Sequence, residues 1–160
     1  MKKALKDLLG LLDLEQIEVN IFRGVSPSDV WKRVYGGQVI GQALVAASRT
    51  VEDDARSAHS LHGYFLRPGN TDIPILYSVD RIRDGRSFTT RRVIAFQQGE
   101  AIFSMSVSFQ VLESGLEHQH QIPNIPPPEA CHDQQTMRKQ YSASINQTVL
   151  DQANQPQPIE

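Results

Sequence analysis

The stretch from Gly36 to Ser48, GGQVIGQALVAAS, contains no charged side chain but three glycines. Three structures have such a sequence: a glycine-rich phosphate loop leading into a helix, a membrane-spanning helix, and a helix buried on most sides. A phosphate loop needs Lys followed by Ser or Thr after its glycines, whereas Gln, Val and Ile follow Gly37. A membrane span needs about 20 apolar residues, and this run is roughly half as long. The stretch therefore predicts a helix that other elements cover on most of its surface.

The glycine in the middle of that helix lowers its stability, and burial of apolar side chains has to offset the loss. Gly41 costs about 1 kcal/mol of helix stability relative to alanine. Burial of each large side chain, such as Val39 or Leu44, contributes roughly 1.5–3 kcal/mol, which outweighs that loss. We expect Gly41 to let the backbone of a sheet approach the helix closely.

The residues after the helix predict an antiparallel sheet. Strand-like segments follow one another, separated by turn signals: HSLHGYFL, IPILYSVDRI, SFTTRRVIAF and AIFSMSVSFQV. Asp84-Gly85 predicts a type I′ hairpin turn, and Gln98-Gly99 marks a second tight turn. In the last segment the odd-numbered residues from Ala101 to Val111 are apolar, which predicts one buried face. A sheet wrapped around one long central helix is an α+β hotdog fold.

Two shorter patterns precede the helix. The leucines from Leu5 to Leu12 have the i, i+3, i+4, i+7 spacing of an amphipathic helix. From Ile17 to Ile21, apolar and polar residues alternate, which predicts one short strand.

Composition excludes several classes of partner. With a net charge of −2 and 21% charged residues, the chain has no basic excess for nucleic acid or an anionic membrane. The single cysteine, Cys131, permits neither an internal disulfide nor a cysteine-based zinc cluster. Charged residues interrupt the apolar residues of the N-terminus, which is unlike a signal peptide. We expect a cytoplasmic protein without metal or cofactor.

The composition changes after Glu113. Residues 113–160 hold nine glutamines and six of the nine prolines, with few apolar residues to form a core. We predict a hotdog domain over residues 1–117 and a Pro/Gln-rich connector over residues 118–160.

The segments GGQVIGQAL, HSLHGYFLRPG, RDGRSF and AIFSMSVSFQ, in this order and spacing, resemble the acyl-CoA thioesterase II family. The resemblance implies an enzyme of two fused hotdogs that hydrolyses fatty acyl-CoA to fatty acid and coenzyme A by direct attack of water. This chain resembles the first hotdog and the start of the connector. The family's catalytic Asp, Thr/Ser and Gln belong to the second hotdog, so the resemblance implies no catalytic residue here. It also implies a second hotdog domain. An isolated hotdog leaves a sheet edge and apolar helix surface uncovered, so we expect that second domain or another chain as partner, in a homo-oligomer.

Several residues are candidates for substrate binding. Hydrolysis of a thioester needs hydrogen-bond donors for the oxyanion, and the amides of Gly37 and Gln38 at the helix start are candidates. Tyr64, next to Phe65 and Leu66, is a candidate for lining an acyl channel, with a place in the core as the alternative.

Arg91 lies in a group of arginines around one predicted hairpin. Arginine suits phosphate geometry, so Arg91 is a candidate for the phosphates of coenzyme A. The alternative is a charged sheet edge guarded against strand pairing.

His59 and His62 are the remaining candidates. At i and i+3 of a strand they are expected to point to opposite faces, which excludes a shared metal ion. Either histidine could be the base of a hotdog hydratase or dehydratase; the favoured alternative is a hydrogen-bonded residue near the helix or a dimer seam. A noncatalytic acyl-binding or dimerisation module is the third interpretation of the whole chain.

Overall fold

The computed structural model describes residues 3–27, 33–53, 55–133, 136, 137 and 140. The chain forms two units, residues 1–114 and 115–160, which meet three residues before the predicted boundary at Glu117. The second unit includes a 3-10 helix at Pro128–Ala130, and its residues from 115 to 133 are all exposed. The elements of the first unit are α1 (Lys3–Leu12), β1 (Glu15–Glu18), β2 (Ile21–Gly24), α2 (Gly36–Ser48), β3 (Arg56–Phe65), β4 (Ile75–Asp84), β5 (Phe88–Gln97) and β6 (Glu100–Val111).

The six strands form one antiparallel sheet in the order β1-β2-β4-β5-β6-β3. Helix α2 packs on one face of this sheet and contacts β2, β4, β5 and β6. Strand β3, the first strand after α2, lies at the far edge and pairs with β6. The predicted antiparallel sheet around a central helix is confirmed.

The surroundings of α2 explain its lack of charge. No residue from Gln38 to Ala47 is exposed, and Ala43, Ala46 and Ala47 are completely buried. The reason predicted for Gly41 is wrong, because the side chain that it admits belongs to α1. A Cβ on Gly41 would lie 3.2 Å from Cδ2 of Leu12. The helix is therefore covered by the sheet on one side and by α1 on another.

Strand β6 has the predicted buried face, with Phe103, Met105, Val107 and Phe109 each at most 2% exposed. Ile102 is also buried, although an even-numbered residue was expected on the other face. The pairing of β5 with β6 shifts at this point, because Ala95 pairs with Phe103 and Phe96 pairs with Ala101. The shift leaves Ile102 as an extra residue, which turns its side chain inward.

Two local predictions are wrong. The alternating residues 17–21 do not form one strand, because a turn at Val19 and Asn20 divides them between β1 and β2. Gly85 is not in a type I′ turn, since positive φ occurs in the described residues only at Gln98 (51°) and at Gly99 and not at Gly85. Glycine is required at Gly85 for another reason: a Cβ there would lie 2.9 Å from the carbonyl oxygen of Phe88.

Candidate functional site

An open pocket of about 430 Å³ lies where α2 begins, on the helix side of the sheet. Its volume is within the range of small-molecule sites, roughly 300–1,000 Å³. Apolar side chains from three segments line most of it, and two arginines lie among the other lining residues. The described residues that line it are Arg33, Val34, Gly36, Val39, Phe65, Leu66, Arg67, Pro68, Gly69, Ile102 and Phe103.

Helix α2 begins at Gly36 in the wall of this pocket, and within the described residues its first two backbone amides are unpaired. Tyr35 precedes the helix in an extended conformation and makes no side-chain capping hydrogen bond. The amides of Gln38 and Val39 donate to the carbonyl oxygen of Tyr35, at 3.1 and 3.3 Å. No carbonyl oxygen of the described residues accepts from the amides of Gly36 and Gly37, as expected for the first turn of a helix. Free amides at a helix N-terminus attract negative charge, including the developing charge of an oxyanion.

Two candidate residues, Gly37 and Gln38, are thus at the start of α2, but only Gly37 keeps a free amide. The side chain of Gln38 is also engaged, since its Nε2 donates to the carbonyl oxygen of Val25 and to Oγ of Ser26, both at 2.9 Å. Gln38 therefore fixes the segment before α2.

The histidines and Tyr64 lie on the other face of the sheet. Ala58 pairs with Phe109 and Ser60 with Ser108, so His59 is the extra residue of a bulge. Nε2 of His59 is 2.8 Å from Oγ of Ser108, on the face away from α2.

His62 and Tyr64 pair with Ser106 and Ser104, which are on the same outer face as Ser108. The expectation that His59 and His62 point to opposite faces is therefore wrong, because the bulge adds one residue between them. No group of three His, Cys, Asp or Glu side chains within the described ranges is arranged to hold a metal ion.

Arg91 lies at the opposite end of α2 from the pocket, about 20 Å along the helix, and is 1% exposed. All five guanidinium N–H groups donate to protein oxygens. Nε donates to Oγ1 of Thr50 at 2.8 Å, and Nη2 to the carbonyl oxygen of Thr50 at 3.1 Å and to Oδ1 of Asp84 at 2.6 Å. Nη1 donates to the carbonyl oxygens of Arg83 and Thr90. No donor of Arg91 is left for a phosphate, and its role in coenzyme A binding stays an untested prediction.

The contacts of Arg91 also have an electrostatic effect. Its hydrogen bond holds the pKa of the Asp84 carboxyl below its ordinary value. The Asp84 side chain remains 59% exposed, although that of its partner Arg91 is buried. Arg91 thereby joins the end of α2, through Thr50, to the β4–β5 hairpin.

The structure thus divides the six candidate residues among three places: the start of α2, the outer face of β3, and the far end of α2. Sequence reasoning missed most of the pocket wall. The turn Arg67-Pro68-Gly69 approaches the segment before α2, and the amide of Val34 donates to the carbonyl oxygen of Gly69 at 3.0 Å. The position of Phe65 and Leu66 directly before that turn was the available signal.

Within the described residues, we find no helix with the length and apolar character that crossing a membrane requires. Residues 26–110 match the family model of the acyl-CoA thioesterase N-terminal domain. The chain is 39% identical to acyl-CoA thioesterase 2 of Haemophilus influenzae, over 100% of this chain and 56% of that protein.

Solved structures agree with this match. The acyl-CoA thioesterase II TesB2 of Mycobacterium marinum is similar at 52% identity and a TM-score of 0.68, over 76% of this chain and 45% of that one. A protein of Alicyclobacillus acidocaldarius described as having a hot dog fold is similar at 19% identity and a TM-score of 0.67, over 77% and 47% of the two chains. At that identity the likeness supports the fold alone.

The chain spans about half the length of the relatives that it matches. Because the domain match covers more than half of the 160 residues, both the resemblance and the hotdog fold are confirmed, and the chain belongs to the acyl-CoA thioesterase family.

Proposed function

We propose that this chain is the N-terminal hotdog of an enzyme that hydrolyses fatty acyl-CoA to a free fatty acid and coenzyme A. The observation that carries the proposal is the apolar pocket beside the free amides of Gly36 and Gly37. Similarity to enzymes named acyl-CoA thioesterases supports the same substrate class.

The pocket has the parts that bind a thioester. Apolar side chains suit the acyl chain, and the amides at the start of α2 suit the carbonyl oxygen. The oxygen of a water molecule bonds to the carbonyl carbon, and the carbon–sulfur bond breaks. The thiolate of coenzyme A then takes up a proton, and the acyl group leaves as the carboxylic acid.

The group that activates the water lies outside this domain in our proposal. Helix α2 contains no Asp or Glu, and the described residues that line the pocket include no carboxylate or histidine. We therefore propose that a second hotdog, in the same protein or in another chain, supplies the base. The reaction needs neither metal nor cofactor, and the lone cysteine favours a cytoplasmic location.

Strand β3 is the proposed edge for that second hotdog. Its residues from Ser57 to Phe65 are all exposed, and among the described residues no strand lies beside its second row of backbone hydrogen-bonding groups. The edge also exposes large apolar side chains, which are Leu61, Tyr64, Phe65 and Leu66. An exposed apolar edge strand invites pairing with another strand, which supports assembly through β3. Residues 118–160 would then serve as the connector.

A hydratase or dehydratase with His59 or His62 as its base receives less support. Both side chains lie on the outer face of the sheet, whereas the pocket lies on the helix side. A noncatalytic acyl-binding module would use the same pocket, so a hydrolysis assay is needed to distinguish such a module from an enzyme.

The catalytic proposal is tested by thiol release from palmitoyl-CoA. We expect this chain alone to release little thiol and to regain activity when fused to the second hotdog of a relative such as TesB2. Activity of the chain alone comparable to that of the intact relative would contradict our location of the base. A fusion that binds palmitoyl-CoA without hydrolysing it would favour the binding module.

The pairing of β3 is tested by sedimentation. We expect the wild-type chain to self-associate at micromolar concentration and Leu61→Lys to be a monomer, because lysine on an edge strand opposes pairing. Leu112→Lys, at a residue that is 94% exposed beyond the last strand, is the matched control and should associate like wild type. A monomeric wild-type chain would refute self-pairing.

A further inference from the structure

Phe65 is an exposed aromatic residue in the wall of the pocket. It is the last residue of β3 and pairs with Phe103, so its side chain points to the helix side of the sheet. The two rings are 4.9 Å apart at an angle of 41°. Phe103 is 1% exposed, but Phe65 is 57% exposed. The ring of Phe65 therefore covers the buried ring of Phe103 at the surface of the pocket.

The same ring lies against the backbone of the first residue of α2. A Cβ on Gly36 would be 2.9 Å from Cζ of Phe65 and 3.1 Å from its Cε1. Such distances are shorter than van der Waals contact, so a larger residue in place of Gly36 would displace the ring from this position. Phe65 thus stands between the free amides of α2 and the inner wall formed by Phe103.

We propose that Phe65 limits the length of the acyl chain that this pocket accepts. The inference rests on the proposed function, since it assigns the pocket to a straight-chain acyl group. In its observed position the ring blocks the space toward Phe103. The ring packs between Phe103 and the first residue of α2, so its size and position determine how deep a chain reaches. Phe65 is a specificity-determining residue in this account.

The physical chemistry of methylene burial makes the proposal measurable. Each additional CH₂ that leaves water raises affinity about fourfold. Affinity should therefore rise with chain length until the chain meets the ring, and then stay constant. A smaller side chain at Phe65 should move that plateau to a longer chain, and a larger one should move it to a shorter chain.

The test uses thioether analogues of acyl-CoA that cannot be hydrolysed, with butyl, octyl, dodecyl and hexadecyl chains. Their affinities for this chain are measured by isothermal titration calorimetry. We expect Phe65→Ala to bind the first analogue beyond the wild-type plateau at least about tenfold more tightly than wild type does. Phe65→Trp should reach its plateau one analogue earlier. The control is Phe88→Ala, which replaces an aromatic residue that is 47% exposed on the outer face. It should show the same dependence of affinity on chain length as wild type.

The outcomes separate this inference from the proposed function. A rising wild-type series whose plateau is the same in Phe65→Ala would overturn the role of Phe65 and leave the acyl pocket standing. A wild-type chain that binds none of the four analogues would overturn both. Circular dichroism establishes that each variant is folded, and Phe65→Leu replaces Phe65→Ala if the alanine variant unfolds, with a smaller shift in the same direction.

Discussion

Replacement of Arg91 by methionine tests whether this arginine stabilises the fold or binds the substrate. Methionine has a similar length but no donor, so Arg91→Met removes all five hydrogen bonds of the guanidinium group. Two of the acceptors that lose this donor are the carbonyl and hydroxyl oxygens of Thr50, a residue that is 1% exposed. The other partners lie at or near solvent, and Asp84 is 59% exposed.

The expected loss of stability follows from those two acceptors. A buried polar group without a partner costs about 1–3 kcal/mol. The Oγ1 of Thr50 keeps its own bond to the carbonyl oxygen of Ala47 at 2.8 Å, which reduces the loss. The exposed Asp84 regains water and adds at most about 1 kcal/mol. We therefore expect Arg91→Met to lower the free energy of unfolding by about 2–4 kcal/mol.

Urea denaturation measures this change, and Arg92→Met is the matched control. Arg92 is the next residue of the same strand, but its side chain is 54% exposed and forms a surface pair with Asp80. Its replacement should cost less than about 1 kcal/mol. An Arg91→Met loss within about 0.5 kcal/mol of the control would refute the structural role. If stability is kept and coenzyme A affinity falls, the phosphate contact predicted from the sequence is correct.

Three further predictions concern single positions. In Tyr77→Phe the buried Oε1 of Gln42 loses a donor at 2.7 Å, so the melting temperature should fall by about 5 °C in calorimetry. Gly10→Ala should stabilise the chain against urea by up to about 1 kcal/mol, because its Cβ meets nothing within 4 Å in α1, whereas Gly99→Ala should destabilise it by about 1–2 kcal/mol because φ is 82°. The folded protein lowers the pKa of Asp84 below its ordinary value of 3.8, which adds stability above pH 3.8. That stability is lost as the pH falls through the lower pKa of the folded state. Asp84→Asn should therefore make the urea midpoint depend less on pH below 3.8.

Several features of the fold follow from local pattern. The uncharged run of α2 and the apolar odd-numbered residues of β6 are regular over many residues, and periodicity of that kind reports which side is buried. The four matched motifs were sufficient to recognise the family. The glycines were recognised as packing devices, but their neighbours were not predictable, since Leu12 precedes Gly41 by a loop and two strands.

The candidate site depended on features that no local pattern contains. His59 and His62 lie on the same face because β3 has one extra residue relative to β6, and a bulge is a property of two paired strands. The burial of Arg91 results from acceptors on Thr50 and on the β4–β5 hairpin, which come together only when the end of α2 packs on the sheet.

From the sequence alone came the class of fold, the buried central helix and the family, because each rests on residues that are neighbours in the chain. Tertiary structure alone decided where the pocket lies. Gly36 and Phe65 meet because β3 returns along the sheet edge until its last residue is beside the first turn of α2. The contact that defines the pocket therefore depends on strand order and register, which the sequence of either segment does not contain.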